Sequence, residues 1–325
     1  MGPVRNLDDL LMLGHGYQRS MILLCALKLG VFRGLADGPR ERAELARRIG
    51  ADASKLSILL DALVALGLLS KAGARYRNME VARKFLLPGA RSQESILLHH
   101  MDGWGDWGRL AATIRAGRAP RGGPDSGYQE NFIRGMEENS RERAAAVAGK
   151  FPLRGGDRVL DLGGGPGTYA VAWEKAYPGS DITVFDTPGT LRVTRKILRE
   201  KGAEARVRLA EGDFLQDPIG GPYDFIWISQ ILHAFPRADC LKLLRKARLA
   251  LASGGRAAVQ EFLVSEGKNA PPGPAFFSVH MVAVTEGGRA YTAGEVAAMM
   301  KTAGFREIAA DPPDPRGVGI VRGVR

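Results

Sequence analysis

The feature that most restricts this chain is an apolar run at 158–162 that enters Gly163-Gly164-Gly165-Pro166-Gly167 and continues at once as a helical pattern. Strand, glycine turn and helix in that order bring backbone amides and a helix N-terminus to the carboxyl end of the strand, where a nucleotide-like ligand fits. Downstream, short apolar runs alternate with helical patterns, and strands are expected at Val159–Gly163, Asp181–Asp186, Arg206–Ala210, Tyr223–Ser229 and Arg256–Leu263. Alternation of that kind predicts an α/β domain with a parallel sheet covered by helices on both faces.

The turn is not a pyrophosphate cradle. Its spacing, Gly163-x-Gly165-x-Gly167, departs from Gly-x-Gly-x-x-Gly, and Asp161 lies two residues before the first glycine, so a cationic ligand without phosphates suits it. Asp186 ends the second strand, where a carboxylate can accept both hydroxyls of a ribose. Gly212-Asp213-Phe214 ends the third, offering an acid for an adenine amino group and a ring to stack on it.

In front of this domain, residues 18–36 carry apolar positions at helical spacing. A short helix at Glu41–Ile49, a turn, a helix at Ser54–Leu66 capped by Ser54 and closed by Gly67, and a hairpin-like wing at Lys71–Asn78 make a winged helix. The second of those helices is apolar on most of its circumference, with only Lys55, Ser57 and Asp61 to spare, which suits burial against a homodimer partner better than base reading. Ala116–Gly127, rich in Gly and Pro, reads as a loop, and Gln129–Lys150 as a long helix into the next domain. These patterns divide the chain into 1–150 and 151–325, in keeping with a length of 325 residues that exceeds what one core usually serves.

Charge decides little by itself. Lys and Arg number 46 against 35 Asp and Glu, but they are scattered, and the densest group, Lys242, Arg245 and Lys246, falls on one helix face and reads as solvated surface. Neither a nucleic-acid partner nor a membrane is expected, since no stretch approaches the length of an uncharged apolar span. Cys25 and Cys240 are the only cysteines and read as core packing in a cytoplasmic protein.

The segments DLGGGPG at 161–167, FD at 185–186, GDF at 212–214 and YDFIWISQILH at 223–233 resemble a class I S-adenosylmethionine-dependent methyltransferase. More narrowly, the whole chain, with its winged-helix front and GGRAYT at 287–292, resembles the small-molecule O-methyltransferase family of plant caffeate and bacterial polyketide enzymes. The resemblance implies a seven-stranded Rossmann-like catalytic domain behind an all-α winged-helix dimerisation domain, in an intertwined homodimer. It also implies S-adenosylmethionine bound by Asp161, Gly163, Gly165, Gly167, Asp186, Thr187, Asp213 and Phe214, with Ser229 and Gln230 lining the site.

Methyl transfer from a sulfonium is an in-line displacement, so the protein must position a small-molecule acceptor and, for a hydroxyl, remove its proton. Of five histidines, His15 reads as structural, whereas His233 lies just past the fourth strand, where α/β ligands bind, and matches the family's catalytic base. Glu261 matches the acid that orients that base. His280, in the apolar stretch FFSVHMV, is either a second acid/base or a core histidine with a polar partner. Phe132, Met136 and Asn139 share one face of the long helix, the face that contacts the acceptor in the family; packing against the sheet is the other reading for Phe132 and Met136. His99, Trp104 and Trp107 are equally explained as a pocket wall or as ordinary packing.

Two positions depart from the plant scheme, which has an aspartate after the base and a glutamate after Gly-Gly-x; here they are Ala234 and Ala290. Carbon methylation of an activated ring or enol, of the tetrapyrrole or phenylpyruvate type, is therefore the alternative to O-methylation. A metal held by His233 and His280 would lack a third ligand, so none is expected. Methylation of nucleobases is disfavoured because Ser229-Gln230-Ile231-Leu232 stands where an Asn/Asp-Pro-Pro-aromatic motif would be, and neither cysteine has a Pro-Cys setting. A winged-helix DNA-binding regulator would need a degenerate glycine and acid constellation, which is intact here, and a dehydrogenase would need the pyrophosphate spacing.

Overall fold

The computed structural model describes residues 3–118 and 126–325, so most of the loop expected at 116–127 lies outside the described residues. The chain divides into two compact units, Met1–Trp104 and Gly105–Arg325. The long helix, Ser126–Lys150, belongs to the second of them.

The first unit opens with the helix Leu7–Lys28, which starts earlier than its apolar spacing suggests because the Asn6 side chain accepts the Asp9 amide as an N-cap. The winged helix follows as helices Arg42–Ile49 and Ala53–Ala65 and strands Leu69–Ala72 and Arg75–Asn78, with Arg40–Glu41 pairing on the outer edge. The unit is thus not all-α: the wing and its edge form a three-stranded antiparallel sheet. Asp52, not Ser54, caps Ala53–Ala65 by accepting the Lys55 amide, while Gly67 closes it at φ +73°, as expected. The apolar helix finds its cover at home: Leu56, Leu60 and Leu63 pack with Phe32, Leu45 and Leu69 in the unit's own core. Unburied apolar surface is concentrated on the first helix, where Leu7, Leu10, Leu11, Met12, Leu13 and Tyr17 are exposed, while Ile58 alone of the large apolar residues on Ala53–Ala65 is exposed.

In the second unit seven strands, numbered here within the unit, form the main path of the sheet: β1 Arg158–Leu162, β2 Asp181–Asp186, β3 Val207–Glu211, β4 Tyr223–Ser229, β5 Leu251–Val264, β6 Arg306–Asp311 and β7 Val318–Val324. Their order is β3-β2-β1-β4-β5-β7-β6, with β7 antiparallel to both neighbours and the rest parallel. An eighth strand of two residues, Tyr291–Thr292, joins the end of β5 outside that path, one more than the seven expected. Side-chain alternation builds two cores: Leu160, Leu162, Ile226 and Ile228 face helices Arg237–Ala250 and Ala293–Thr302, while Val159, Phe225 and Trp227 pack with Phe151, Tyr169 and Trp173. Strand order reverses between β2 and β4 around β1, so the crevice at the carboxyl end of β1 is where a ligand of an open α/β sheet belongs. No helix among the described residues is long and apolar enough to cross a membrane.

Candidate active site

The glycine turn follows β1 and leads into the helix Thr168–Ala176. Gly163, Gly165 and Gly167 all have left-handed backbone, at φ +69°, +52° and +72°, which is why glycine recurs at every second position. Close approach adds a second reason. A Cβ on Gly163 would lie 2.5 Å from Ile231 Cδ1, and one on Gly164 would lie 2.6 Å from Asp161 Cγ.

Asp161 is fully buried at the end of β1, and neither of its oxygens meets a hydrogen-bond partner among the described residues. Burial pushes its pKa up to about 7, and the nearby Asp186 charge adds to the rise. Asp186, at the end of β2, accepts the Gly165 amide at 2.9 Å and the Thr187 amide at 2.7 Å; burial raises its pKa and those bonds resist the rise. A cation between two buried carboxylates would relieve their repulsion. Thr187 serves as N-cap of the helix Pro188–Glu200.

Past β3, Asp213 closes its own turn, accepting the Leu215 amide at 2.8 Å, and Phe214 lies beside Gly163 with its ring edge-on to Phe235. Lys246, read from the sequence as solvated, ties this loop down by donating to the Phe214 carbonyl at 2.7 Å and to that of Asp217 at 2.5 Å. Beyond β4, Gln230 adopts a left-handed φ of +59°, and neither polar atom of its buried carboxamide has a hydrogen-bond partner among the described residues. Strain and an unpaired polar group in one residue mark a place shaped for a ligand. Ser229 and Tyr169 both donate to the Gln260 side-chain oxygen, at 3.1 and 2.5 Å. Thr168, a buried hydroxyl without a partner among the described residues, stands at the start of the helix after the glycine turn. Gln260, Tyr169 and Thr168 are not singled out by the sequence, which reads Lys246 as surface. Such residues carry no motif, and only their unpaired or shared polar atoms mark them.

His233 sits in the 3₁₀ turn Leu232–Ala234 after β4. Its Nδ1 is 2.6 Å from Glu261 Oε2, and the other Glu261 oxygen accepts the amides of Ile231 at 2.9 Å and Leu232 at 2.7 Å. Glu261 is 1% exposed and lies within β5, so strand geometry fixes it. Phe277 meets the His233 ring edge-on at 4.7 Å between centroids and also packs on Phe262. His280, half-buried on the helix Pro272–Val284, stacks on Trp107 at 5.9 Å and lies 6.0 Å from Phe277. The geometry thus brings His233, Glu261, Phe277, His280 and Trp107 into one run of contacts. His99 is buried in the first unit. On the long helix, Ile133 is buried while Phe132 and Asn139 are exposed and Met136 half-buried, so the face expected to meet the acceptor is the open one.

A buried, unpaired acid beside a phosphate-unfriendly glycine turn fits S-adenosylmethionine, a cationic adenosyl group, and fold and site together define an S-adenosylmethionine-dependent methyltransferase. Comparison with known proteins narrows the class. Residues 119–306 match the O-methyltransferase domain and residues 11–88 the O-methyltransferase dimerisation domain. The chain is 34% identical to acetylserotonin O-methyltransferase of Mus musculus, covering 94% of this chain and 85% of that one. It is 30% identical to 3-hydroxy-5-methyl-1-naphthoate 3-O-methyltransferase of Streptomyces sahachiroi, over 96% and 94% of the two chains. The solved structure of human N-acetylserotonin methyltransferase in complex with SAM superposes with a TM-score of 0.86 at 28% identity, over 100% of this chain and 99% of that one. The chain belongs to the O-methyltransferase family.

Proposed function

We propose that this enzyme methylates a hydroxyl on a small, planar aromatic acceptor, with His233 as the general base and Glu261 as the acid that orients it. The observation that carries this is the 2.6 Å contact between His233 Nδ1 and Glu261 Oε2. A buried carboxylate at Nδ1 selects the tautomer with its proton there, which leaves Nε2 as the acceptor for a hydroxyl proton. S-adenosylmethionine, when bound, supplies an electrophilic methyl group on a sulfonium. Asp161, Asp186, Gln230 and the glycine turn would hold it, with Gly163, Gly165, Gly167, Thr187, Asp213, Phe214 and Ser229 around it. Phe132, Met136 and Asn139 would bound the acceptor together with the aromatic rings of Phe277, His280 and Trp107, whose flat faces favour a flat ring.

The test is transfer of a labelled methyl group to a panel of phenols, enols, amines and tetrapyrroles by wild type, His233→Ala and His280→Ala. Products on oxygen that vanish with His233→Ala support the reading. Products on carbon or nitrogen, or activity indifferent to His233, overturn it.

We further infer a homodimer formed through the first unit. Its support is the match to a dimerisation domain and the row of exposed apolar residues on Leu7–Lys28, led by Leu7 at 67% exposure, which a second copy would cover. The paired substitution Leu10→Glu with Leu13→Glu is expected to yield monomers in light scattering; a monomeric wild type would overturn the inference. The free thiols Cys25 and Cys240 suit a reducing cytoplasm.

A further inference from the structure

His233 rides on a turn of three residues, too short to hold its own direction. Glu261 gathers the Ile231 and Leu232 amides and the imidazole. Contacts to the turn's carbonyls come from GGRAYT and from the helix Arg237–Ala250. Tyr291, 1% exposed, donates its hydroxyl to the Phe235 carbonyl at 2.8 Å, the residue on which the turn ends. The Cys240 thiol donates to the Leu232 carbonyl at 3.2 Å. Burial pushes that thiol up to about 11, so it remains a donor at neutral pH.

Tyr291 is itself fixed. It pairs with Leu263 on β5, two residues beyond Glu261, so one strand anchors both residues that hold the turn. Its ring lies 4.2 Å under the Arg289 guanidinium, which Glu295 grips with two bonds of 2.9 Å. Gly287 and Gly288 let this segment run close beneath the turn: a Cβ on Gly288 would collide with the His233 carbonyl oxygen.

We propose that Tyr291, assisted by Cys240, is a positioning residue that clamps the His233 turn by its carbonyls while Glu261 holds its amides. With alanine at 234 and 290, Glu261 is the one acid that meets the imidazole among the described residues, and the tyrosine supplies the second constraint through the backbone. The inference rests on the reading of His233 as base only for its kinetic consequence. The clamp itself is a statement about geometry.

The test uses the full-length enzyme. The short Nδ1–H bond to Glu261 should give a deshielded proton resonance, assigned by its loss in Glu261→Gln. In Tyr291→Phe, which keeps the ring, that resonance is expected to broaden or move upfield, and kcat to fall about 5- to 10-fold, the effect of one lost buried hydrogen bond, with KM for S-adenosylmethionine unchanged. Cys240→Ala, which removes the thiol's bond to the Leu232 carbonyl and its weaker one to the Tyr291 hydroxyl but keeps the bond from Tyr291 to Phe235, should shift the same resonance in the same direction by less. An unaltered resonance in both variants overturns the clamp. A shifted resonance supports it even if activity proves indifferent to His233→Ala, an outcome that would remove the base and leave the clamp standing.

Discussion

Glu261 holds His233 with one carboxylate oxygen and the backbone of the same turn with the other, so a single buried side chain sets both the direction of the imidazole and the position of the loop beneath it. A carboxylate only 1% exposed can do this because three donors share its charge.

Replacing Glu261 with glutamine separates the two tasks. The amide oxygen can still accept the Ile231 and Leu232 amides, but its NH₂ faces Nδ1 and favours the tautomer with the proton on Nε2, which cannot accept one. We expect kcat to drop about 100-fold or more, in the range of a lost general base, with a modest change in Tm. Steady-state kinetics beside a melting curve would check this, and a near-normal kcat would contradict it.

Asp161 makes ligand-free stability depend on pH. Its folded pKa of about 7 exceeds the ordinary 3.8, so between those values the folded chain keeps a proton that the unfolded chain has lost. Stability is therefore highest below pH 3.8 as far as this group is concerned, and falls as pH rises through that window, by on the order of 4 kcal/mol for the full shift. Melting of wild type and Asp161→Asn at pH 5.5 and pH 8 should show a steeper decline for wild type. A cationic ligand reverses the preference, so S-adenosylmethionine should bind wild type more tightly at pH 8 than at pH 6, and Asp161→Asn weakly at both. Calorimetry showing equal affinity for wild type and Asp161→Asn would contradict that.

What could be read from residues and what could not follows a physical line. Asp181–Asp186 and Tyr223–Ser229 were legible to the residue, because continuous apolar runs bounded by turns leave one reading. Leu251–Val264 begins five residues before the expected Arg256, since its first residues pair only at their ends and carry no apolar pattern. His233, Glu261 and the glycine turn were legible through motif and position. Phe277, Tyr291 and Lys246 were not, because their importance lies in partners distant in the sequence. The helix cap shows the same limit at small scale: Asp52 and Ser54 both qualify by type, and only geometry chooses. Asp52→Ala should cost about 1 kcal/mol of stability and Ser54→Ala much less, by denaturant unfolding.

The glycine turn allows strain and occlusion to be separated. Gly163→Ala meets both, since its φ is +69° and its Cβ would strike Ile231, so Tm should fall with donor affinity. Gly164→Ala has no left-handed φ to disturb, and its Cβ would press on the Asp161 carboxylate alone. We expect the second variant to lose donor affinity about tenfold or more while losing less stability than the first, whose αL penalty alone is about 1 kcal/mol. Equal losses of Tm and affinity in the two would mean that the turn acts only as scaffold.

Trp107 separates acceptor binding from chemistry. Its ring stacks on His280, and 43% of it is exposed, as suits a wall rather than a core. Removing the ring in Trp107→Ala forfeits one aromatic contact, worth about 0.5–1.5 kcal/mol, so KM for the acceptor should rise roughly 2- to 10-fold. KM for S-adenosylmethionine and kcat should hold, because neither His233 nor the glycine turn depends on this ring. If kcat falls instead and KM holds, Trp107 acts through His280 on the reaction itself, and His280→Ala should then reproduce the loss.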